Sequence, residues 1–169
     1  MSEAEQQVIF ETWLGQYKAM IFKIVRAYAL NPMDRDDLFQ DIVIQVWRSI
    51  SSFRNESSPS TWIYRISLNT AIRWIKRERR HAELNESHEA VRQVLMENPV
   101  SLDDRLAWLY KEIYTLNEID RCITILMLDD LSYKEMAGIL GITESNVGVK
   151  INRIKKYLVS RSKTFEYGV

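Results

Sequence analysis

The chain of 169 residues has few of the residues that break helices, form disulfides or bind soft metals. Its 5 glycines and 3 prolines are too few for a turn-rich β fold and favour helices. The single cysteine, Cys122, cannot form a disulfide within the chain, which suits a reducing cytoplasm. No apolar run approaches the roughly 18–20 residues of a membrane span, and the acidic start is unlike a secretory signal. We therefore expect a cytoplasmic protein without membrane insertion.

The basic residues are concentrated in two stretches, although 23 Lys and Arg balance 23 Asp and Glu over the whole chain. Six basic residues lie within residues 65–80, where the only acid is Glu78, and six lie within residues 150–163, which hold no acid. Residues 83–104 between them carry six acids and one base. A neutral chain with two separate basic helices is typical of a protein that holds a polyanion at two places.

Apolar residues recur at helical spacing along most of the chain, and no segment alternates as a strand does. This pattern predicts an all-α protein with two small helical domains, residues 1–80 and 102–169, joined by a flexible acidic linker, residues 81–101. The predicted helices run over about Glu3–Ala29, Arg35–Ser51, Pro59–Arg80, Leu106–Leu116, Ile119–Met127, Tyr133–Leu140 and Glu144–Arg161.

Capping residues mark several of these helix ends. Ser2 with Glu5 and Ser132 with Glu135 have the spacing of capping boxes, in which side chain and backbone bond reciprocally. Asp34 is the expected N-cap of the second helix. The N-cap of the third helix is expected at the serine that precedes a proline in the first helical position, residues 58 and 59.

The last two predicted helices have the outline of a helix-turn-helix. Gly141 falls where a left-handed residue would end the shorter helix, and Thr143 can cap the longer one. One side of the longer helix is apolar, and the opposite side offers amides, a cation and a valine, which suit the major groove of DNA. The predicted contacts are Ser145, Asn146, Val149, Lys150, Asn152, Arg153 and Lys156, with Lys155 and Arg161 as further phosphate contacts.

A polar stripe follows the third predicted helix, with Trp62 at its N-terminal end. Its members recur every three or four residues and therefore share one face. Aromatic side chains stack on unpaired bases for about 1–3 kcal/mol each while cations hold the backbone, so this face suits single-stranded nucleic acid better than a duplex. The stripe consists of Arg65, Asn69, Arg73, Lys76 and Arg80.

The second predicted helix exposes acids, amides and one isoleucine. Three interpretations are open: a Mg²⁺ site at Asp36, Asp37 and Asp41, acids placed to complement the helix dipole, or a docking surface for a helix of another protein. An exposed Ile44 beside the acids favours the docking surface. That surface consists of Asp37, Gln40, Asp41, Ile44 and Gln45.

The chain resembles bacterial sigma factors of the extracytoplasmic-function class. Asp37-Leu38-Phe39-Gln40-Asp41 with Val46-Trp47 is similar to region 2.2 of that family, and Phe53–Asn69 is similar to regions 2.3 and 2.4. The segments Leu116–Leu128 and Ser132–Lys156 are similar to region 4. The short link between the two parts also resembles this class, which lacks the central domain of primary sigma factors.

The resemblance implies that the protein directs core RNA polymerase to promoters. The acidic-amide face of the second helix would dock on the clamp helices of the polymerase, and the helix-turn-helix would bind the minus-thirty-five element. An anti-sigma factor is a further candidate partner. Met136, Gly148 and Val149 depart from the usual family pattern, so the promoter sequence cannot be transferred. The implied minus-ten contacts are Phe53, Arg54, Asn55, Ser60, Trp62, Arg65, Asn69, Arg73 and Lys76.

Two other functions stay open at this point. An autonomous helix-turn-helix regulator with a helical effector domain would need its own dimer interface and a palindromic site. An enzyme such as a nuclease would need a catalytic constellation, whereas His81 and His88 fall in the predicted linker and Cys122 on an apolar helix face. We therefore expect no catalytic residues, no cofactor, no bound metal and no small-molecule substrate.

Overall fold

The computed structural model describes residues 2–84 and 103–166, with side chains described for residues 2–81 and 104–163. Within these ranges the chain is helical and contains no strand, which confirms the all-α prediction. None of the described helices is both long and apolar enough to cross a membrane. Most of the predicted linker lies outside the described residues. The helices are α1 (Glu3–Tyr28), α2 (Pro32–Ser49), α3 (Pro59–Leu84), α4 (Asp103–Thr115), α5 (Glu118–Leu128), α6 (Tyr133–Leu140) and α7 (Glu144–Glu166).

The chain divides into two compact units, Met1–Lys111 and Glu112–Val169. In the first unit, α1, α2 and α3 each pack against the other two. Every helix contributes fully buried side chains at helical spacing, so the three apolar faces form one core. The most buried are Ile24 and Tyr28 of α1, Leu38 and Ile42 of α2, and Ile63 and Ala71 of α3.

The start of α2 differs from the prediction. The N-cap is Asn31, whose Oδ1 accepts a hydrogen bond from the backbone N–H of Asp34 at 2.8 Å. Pro32 occupies the first helical position, where its missing N–H costs nothing because that group has no partner inside a helix. The Asn31-Pro32 pair therefore begins α2, three residues after α1 has ended at Tyr28, and the prediction of Asp34 as the N-cap was wrong.

Other predicted caps are confirmed in the first unit. Ser2 and Glu5 form both hydrogen bonds of a capping box, and the pKa of Glu5 lies below its ordinary value of 4.5, chiefly because its carboxylate accepts the Ser2 backbone N–H. Ser58 Oγ accepts from the backbone N–H of Thr61 at 3.2 Å at the start of α3. Between α2 and α3 the chain forms a short 3₁₀ turn at Ile50–Ser52.

In the second unit, α7 packs on α5 and α6. Three of the four residues predicted for its inner face, Val147, Ile151 and Ile154, are buried, and the fourth, Leu158, is partly exposed. The apolar faces predicted for α4 and α5 were partly wrong. Leu106 and Ile119 are 40% and 37% exposed, and α4 ends before the residue 116 that was assigned to it.

The helix-turn-helix prediction is confirmed. Ser132 and Glu135 form both bonds of the capping box at the start of α6, and these bonds, first the one from the Ser132 hydroxyl, lower the pKa of Glu135 below 4.5. Gly141 ends α6 at φ +69° and donates its N–H to Ala137 O at 2.9 Å. Thr143 Oγ1 accepts from the Asn146 N–H at 3.2 Å and so caps α7.

Candidate nucleic-acid and partner interfaces

The polar stripe of α3 lies opposite its buried face. All five members are exposed, while Leu68, Trp74 and Ile75 on the inner side are at most 5% exposed. Because that inner side is tightly packed against α1 and α2, the helix cannot rotate without exposing its apolar residues, and the cations stay on the outside. The stripe consists of Arg65, Asn69, Arg73, Lys76 and Arg80.

A surface pocket of about 450 Å³ lies at the N-terminal end of this stripe. It brings together two aromatic rings, two guanidinium groups, a carboxylate and two hydroxyls from the turn after α2, the following loop and α3. The sequence predicted four of the seven lining residues as individual nucleic-acid contacts and missed Ser52, Glu56 and Ser57. The acid of Glu56 gives no such indication by itself. The lining residues are Ser52, Phe53, Arg54, Glu56, Ser57, Trp62 and Arg65.

Trp62 is anchored to the core and also lines this pocket. Its indole N–H donates to Ser49 Oγ at 3.1 Å, and its ring packs against Phe53 with the centroids 5.6 Å apart. Phe53 in turn meets Trp13 edge-on at 5.1 Å. Trp62 is therefore neither a purely buried residue nor a free stacking platform, because packing fixes its orientation while part of its surface lines the pocket.

The loop before α3 presents the other predicted contacts. Arg54 and Asn55 are exposed, and Asn55 has a left-handed backbone at φ +58°, which asparagine tolerates better than most residues. Ser60 is half-buried, and its hydroxyl lies 2.9 Å from that of Ser58. The backbone of this loop is thus set by local geometry and hydrogen bonds, and the side chains of Arg54 and Asn55 face outward.

The acidic-amide face of α2 is accessible in the folded unit. Asp37, Gln40 and Ile44 are exposed, with Ile44 45% exposed, and Asp41 and Gln45 are half-buried. A single exposed isoleucine is common on protein surfaces and does not by itself mark a docking site, so the structure shows that this face is accessible and no more. In the described part of the chain, no three His, Cys, Asp or Glu side chains are grouped to hold a metal ion.

The docking face of α2 adjoins the basic face of α3. Arg77 Nη2 lies 3.3 Å from Asp41 Oδ2, and both side chains are about half exposed, at 50% and 41%. A groove of about 520 Å³ runs alongside and is lined by residues of both predicted sites. The sequence analysis missed Arg77, because it lies off the stripe and meets Asp41 only when two helices pack. The groove is lined by Asp41, Gln45, Thr70, Arg73, Trp74, Lys76, Arg77 and Arg80.

On α7, six of the seven residues predicted to meet DNA lie on the exposed face. Val149 is 59% exposed, and the side chain of Arg153 is 66% exposed. The seventh residue, Lys150, is half-buried. The six exposed residues are Ser145, Asn146, Val149, Asn152, Arg153 and Lys156.

Lys150 is held by an acid that the sequence analysis did not identify. Its Nζ lies 2.9 Å from Oδ1 of Asp120, a residue of α5 that is 5% exposed. Arg153 Nη2 lies 3.6 Å from the other oxygen, Oδ2, of the same carboxylate. An acid this deeply buried is stabilised by such partners, so Lys150 has a structural role besides the predicted phosphate contact.

Arg161 has a comparable partner in Glu112 of α4, which is 4% exposed. Its Nε and Nη2 donate to the two carboxylate oxygens at 3.1 and 3.0 Å, and Tyr157 Oη donates to Oε2 at 2.9 Å. The hydrogen bond to Glu112 raises the pKa of Arg161 above its ordinary value. The predicted phosphate contact of Arg161 thus involves a side chain that also ties α7 to α4.

Tyr133 lies against a glycine of α7, Gly148. A Cβ placed on Gly148 would lie 3.3 Å from Tyr133 Cε2, closer than most real contacts of that kind. Tyr133 itself is 46% exposed. The absence of a side chain at Gly148 therefore lets the tyrosine ring rest on α7, near the exposed Val149.

Comparisons with known proteins match both units. The family model Sigma-70 region 2 matches residues 10–81, and Sigma-70, region 4 matches residues 104–158. The chain is 28% identical over 162 residues to the ECF RNA polymerase sigma-E factor of Escherichia coli strain K12, covering 89% of this chain and 84% of that protein. It is 30% identical over 125 residues to the RNA polymerase sigma factor YlaC of Bacillus subtilis strain 168, covering 70% and 72%.

Two solved structures share the fold at 19% sequence identity and a TM-score of 0.69. One is CnrH in complex with the cytosolic domain of CnrY, which covers 94% of this chain and 90% of that one. The other is the sigma factor RpoE in complex with the anti-sigma factor NepR from Bartonella quintana, which covers 91% and 96%.

Proposed function

The chain belongs to the sigma-70 family, in its extracytoplasmic-function class, and from this premise we propose which of its surfaces meets each partner. It is a sigma factor that binds core RNA polymerase and directs transcription initiation. Membership of the family leaves no reason to favour an autonomous regulator. The observation that carries the assignment of surfaces is that each matched segment holds one exposed basic helix face, on α3 and on α7.

The minus-ten element is assigned to the first unit. The pocket beside Trp62 would receive a base extruded from the non-template strand, with the cations of the stripe on the neighbouring phosphates. Unstacking a base costs a few kcal/mol, and a pocket that holds the flipped base can offset that cost. The contacts are those predicted from the sequence: Phe53, Arg54, Asn55, Ser60, Trp62, Arg65, Asn69, Arg73 and Lys76.

The minus-thirty-five element is assigned to α7. Arg153 and Asn152 present hydrogen-bonding groups of the types that recognise guanine and adenine in the major groove, and Val149 can contact a thymine methyl group. Ser145, Asn146 and Lys156 lie around them, where they would meet bases or phosphates. The functional domains are residues 1–80 and 102–169, with residues 81–101 between them.

The clamp helices of core polymerase are assigned to the face of α2. Ile44 offers an apolar centre, and Asp37 and Gln40 offer acceptors around it. The same arrangement of a small apolar centre and a polar rim is typical of protein interfaces. Asp41 and Gln45 complete this surface at the edge of the groove shared with α3.

We further propose that the protein acts in the cytoplasm, has no catalytic activity of its own and is controlled by an anti-sigma factor. The last point rests on the similar RpoE structure, which contains such a partner. Promoter opening needs no ATP in this scheme, because binding free energy for the open form drives it. Core polymerase sets the spacing of the two DNA-binding faces, so the free chain binds promoters weakly.

Run-off transcription with core RNA polymerase and a genomic library tests the proposal. We expect specific transcripts that depend on the added chain, together with weak promoter binding by the chain alone in gel shifts. Tight and specific duplex binding without polymerase would contradict the assignment, as would failure of the chain to bind core polymerase.

Arg153→Ala tests the minus-thirty-five assignment on a promoter recovered in that way. We expect a loss of about 1–3 kcal/mol in binding, confined to the base pair that Arg153 contacts, because a bidentate pair carries sequence information. Lys155→Ala on the same helix is the matched control and should weaken all sequences alike through a phosphate contact. Transcription from a pre-opened template should survive Arg153→Ala, and equal loss on both templates would refute the role.

A further inference from the structure

The buried carboxylate of Asp120 holds two cations of the recognition helix, and nothing in the family resemblance assigned it a role. We propose that Asp120 is a positioning residue that orients Arg153 for base recognition and withdraws the charge of Lys150 from the DNA backbone. This inference rests on the assignment of α7 to the minus-thirty-five element. It adds a determinant of specificity that touches no DNA.

Each carboxylate oxygen of Asp120 lies near one of the two cations. Lys150 Nζ lies 2.9 Å from Oδ1 and its side chain is only 20% exposed, whereas Arg153 Nη2 lies 3.6 Å from Oδ2 and its side chain is 66% exposed. Lys150 is thus held close to the body of the unit by a charge-assisted hydrogen bond. Arg153 is in looser contact, which leaves most of its guanidinium donors available to a ligand.

The carboxylate itself is fixed by α5 and not by the helix that it orients. Asn117 Nδ2 donates to Oδ2 at 2.7 Å, and the Asp120 backbone N–H donates to Asn117 Oδ1 at 3.0 Å. The Thr124 hydroxyl donates to the carbonyl oxygen of Asp120 at 2.7 Å. These hydrogen bonds fix the position of Asp120 next to α7. A long side chain that contacts this carboxylate has fewer conformations in the free protein and therefore loses less conformational entropy when it binds DNA.

Two consequences follow for DNA binding. The contact with Asp120 favours one orientation of Arg153, so this side chain loses fewer conformations on binding and discriminates between bases more sharply than an arginine without such a contact. Lys150 contributes little to phosphate contacts, because its ammonium is already paired, and the salt dependence of binding is smaller than the number of cations on α7 suggests.

Asp120→Asn tests this in the holoenzyme, formed from the full chain and core polymerase. Binding is measured on a promoter recovered from the library and on duplexes with single base-pair substitutions across the upstream element, at several salt concentrations. We expect discrimination at the base pair read by Arg153 to fall about tenfold. The slope of log K against log salt should become steeper by about one, because Lys150 is released to a phosphate.

Two further variants separate these effects. In the double variant Asp120→Asn with Lys150→Met, the salt slope should return to the wild-type value while discrimination stays low. Glu112→Gln is the matched control, since it removes the same charge from an equally buried acid that also holds α7, but at Tyr157 and Arg161. It should keep wild-type discrimination at the base pair read by Arg153, whereas a steeper salt slope in this variant would report the release of Arg161.

The inference is overturned if Asp120→Asn keeps wild-type discrimination, or if Asp120→Asn and Glu112→Gln lower binding to all duplexes alike. If Asp120→Asn does not fold, Asn117→Ser decides, because serine keeps the N-cap acceptor and removes only the amide donor to Asp120. It should reduce discrimination at the same base pair without changing the salt slope, and unchanged discrimination would overturn the inference. A wild-type holoenzyme that shows no upstream discrimination would instead refute the proposed function of α7.

Discussion

The two basic helices differ in what holds their cations. On α3, Arg77 pairs with Asp41, and both side chains are about half exposed to solvent. On α7, Lys150 and Arg161 pair with carboxylates that are 8% and 6% exposed. Exposed pairs are screened and worth little, whereas a buried carboxylate depends on its partners and holds them in one geometry.

This difference matches the two forms of DNA assigned to the helices, a separated strand to α3 and a duplex to α7. A separated DNA strand can adapt to the protein, so a stripe of mobile cations beside one aromatic pocket is sufficient to bind it. A duplex presents base edges at fixed positions in the major groove, and side chains that recognise them must be held in register. On α7, the buried acid Asp120 contacts Lys150 and Arg153, and the buried acid Glu112 ties Arg161 to α4. No described acid that faces α3 is buried to the same extent.

The largest expected change in stability comes from removing a buried acid, and the comparison is with removal of an exposed one. Glu112→Ala should destabilise the packing of α7 by about 2–3 kcal/mol, because the carboxylate accepts three hydrogen bonds in a buried site. Asp41→Ala, the corresponding change beside α3, should cost only ~0–1 kcal/mol. Amide hydrogen exchange in α7 and α3 measures both free energies of opening. Equal costs would show that burial does not distinguish the two helices.

The next largest effect is expected from Trp62→Ala, which should slow promoter opening. Loss of stacking worth about 1–3 kcal/mol predicts open-complex formation reduced by roughly tenfold or more, while upstream binding stays normal. The rate is measured by permanganate reactivity of unpaired thymines. Ser49→Ala is the control, because it removes the hydrogen-bond partner of the indole and leaves the ring. A similar defect in both variants would mean that orientation of the ring, and not stacking on a base, limits opening.

The smallest effect concerns the capping boxes that begin α1 and α6. The pKa values of Glu5 and Glu135 are lowered by hydrogen bonds to Ser2 and Ser132. Because the pKa of each carboxyl group is lower in the folded state than in the unfolded state, ionisation stabilises the fold at pH values above 4.5. This contribution to the free energy of unfolding is lost as the pH falls through the pKa of the folded state. NMR titration of the carboxyl carbons should give both midpoints below 4.5, and Glu135→Gln should abolish the local pH dependence in α6 alone. A titration midpoint of 4.5 or above for Glu5 or Glu135 would show that the hydrogen bond from its serine does not persist in solution.

Most features set by neighbours in sequence were predicted correctly, with the N-cap of α2 as an exception, and the contacts set by packing were not predicted. The capping box of Ser132 and the left-handed Gly141 follow from local chemistry, so the helix-turn-helix was predicted correctly. The N-cap of α2 was wrong because Asn31 and Asp34 are both good caps, and only the position of Pro32 distinguishes them. A one-dimensional pattern can rank such alternatives but does not show which backbone N–H groups need a partner.

The partners missed by sequence reasoning lie far apart along the chain. Arg77 and Asp41 are separated by 36 residues, Lys150 and Asp120 by 30, and Arg161 by 49 from its acid. Periodicity places each residue on a face of its own helix, but it does not show which face of another helix lies opposite. For this reason the exposed side of α7 could be predicted while the role of its supporting acids could not.

The contact between Tyr133 and Gly148 has an evolutionary consequence. A methyl group at position 148 would need the tyrosine ring to move by a few tenths of an ångström, and a longer side chain would need to displace the ring. The ring lies at the surface and can swing aside, so the two positions are coupled rather than closed to mutation. We expect lineages that acquire a base-contacting residue at position 148 to change position 133 more often than unrelated positions, so that new promoter preferences involve both residues.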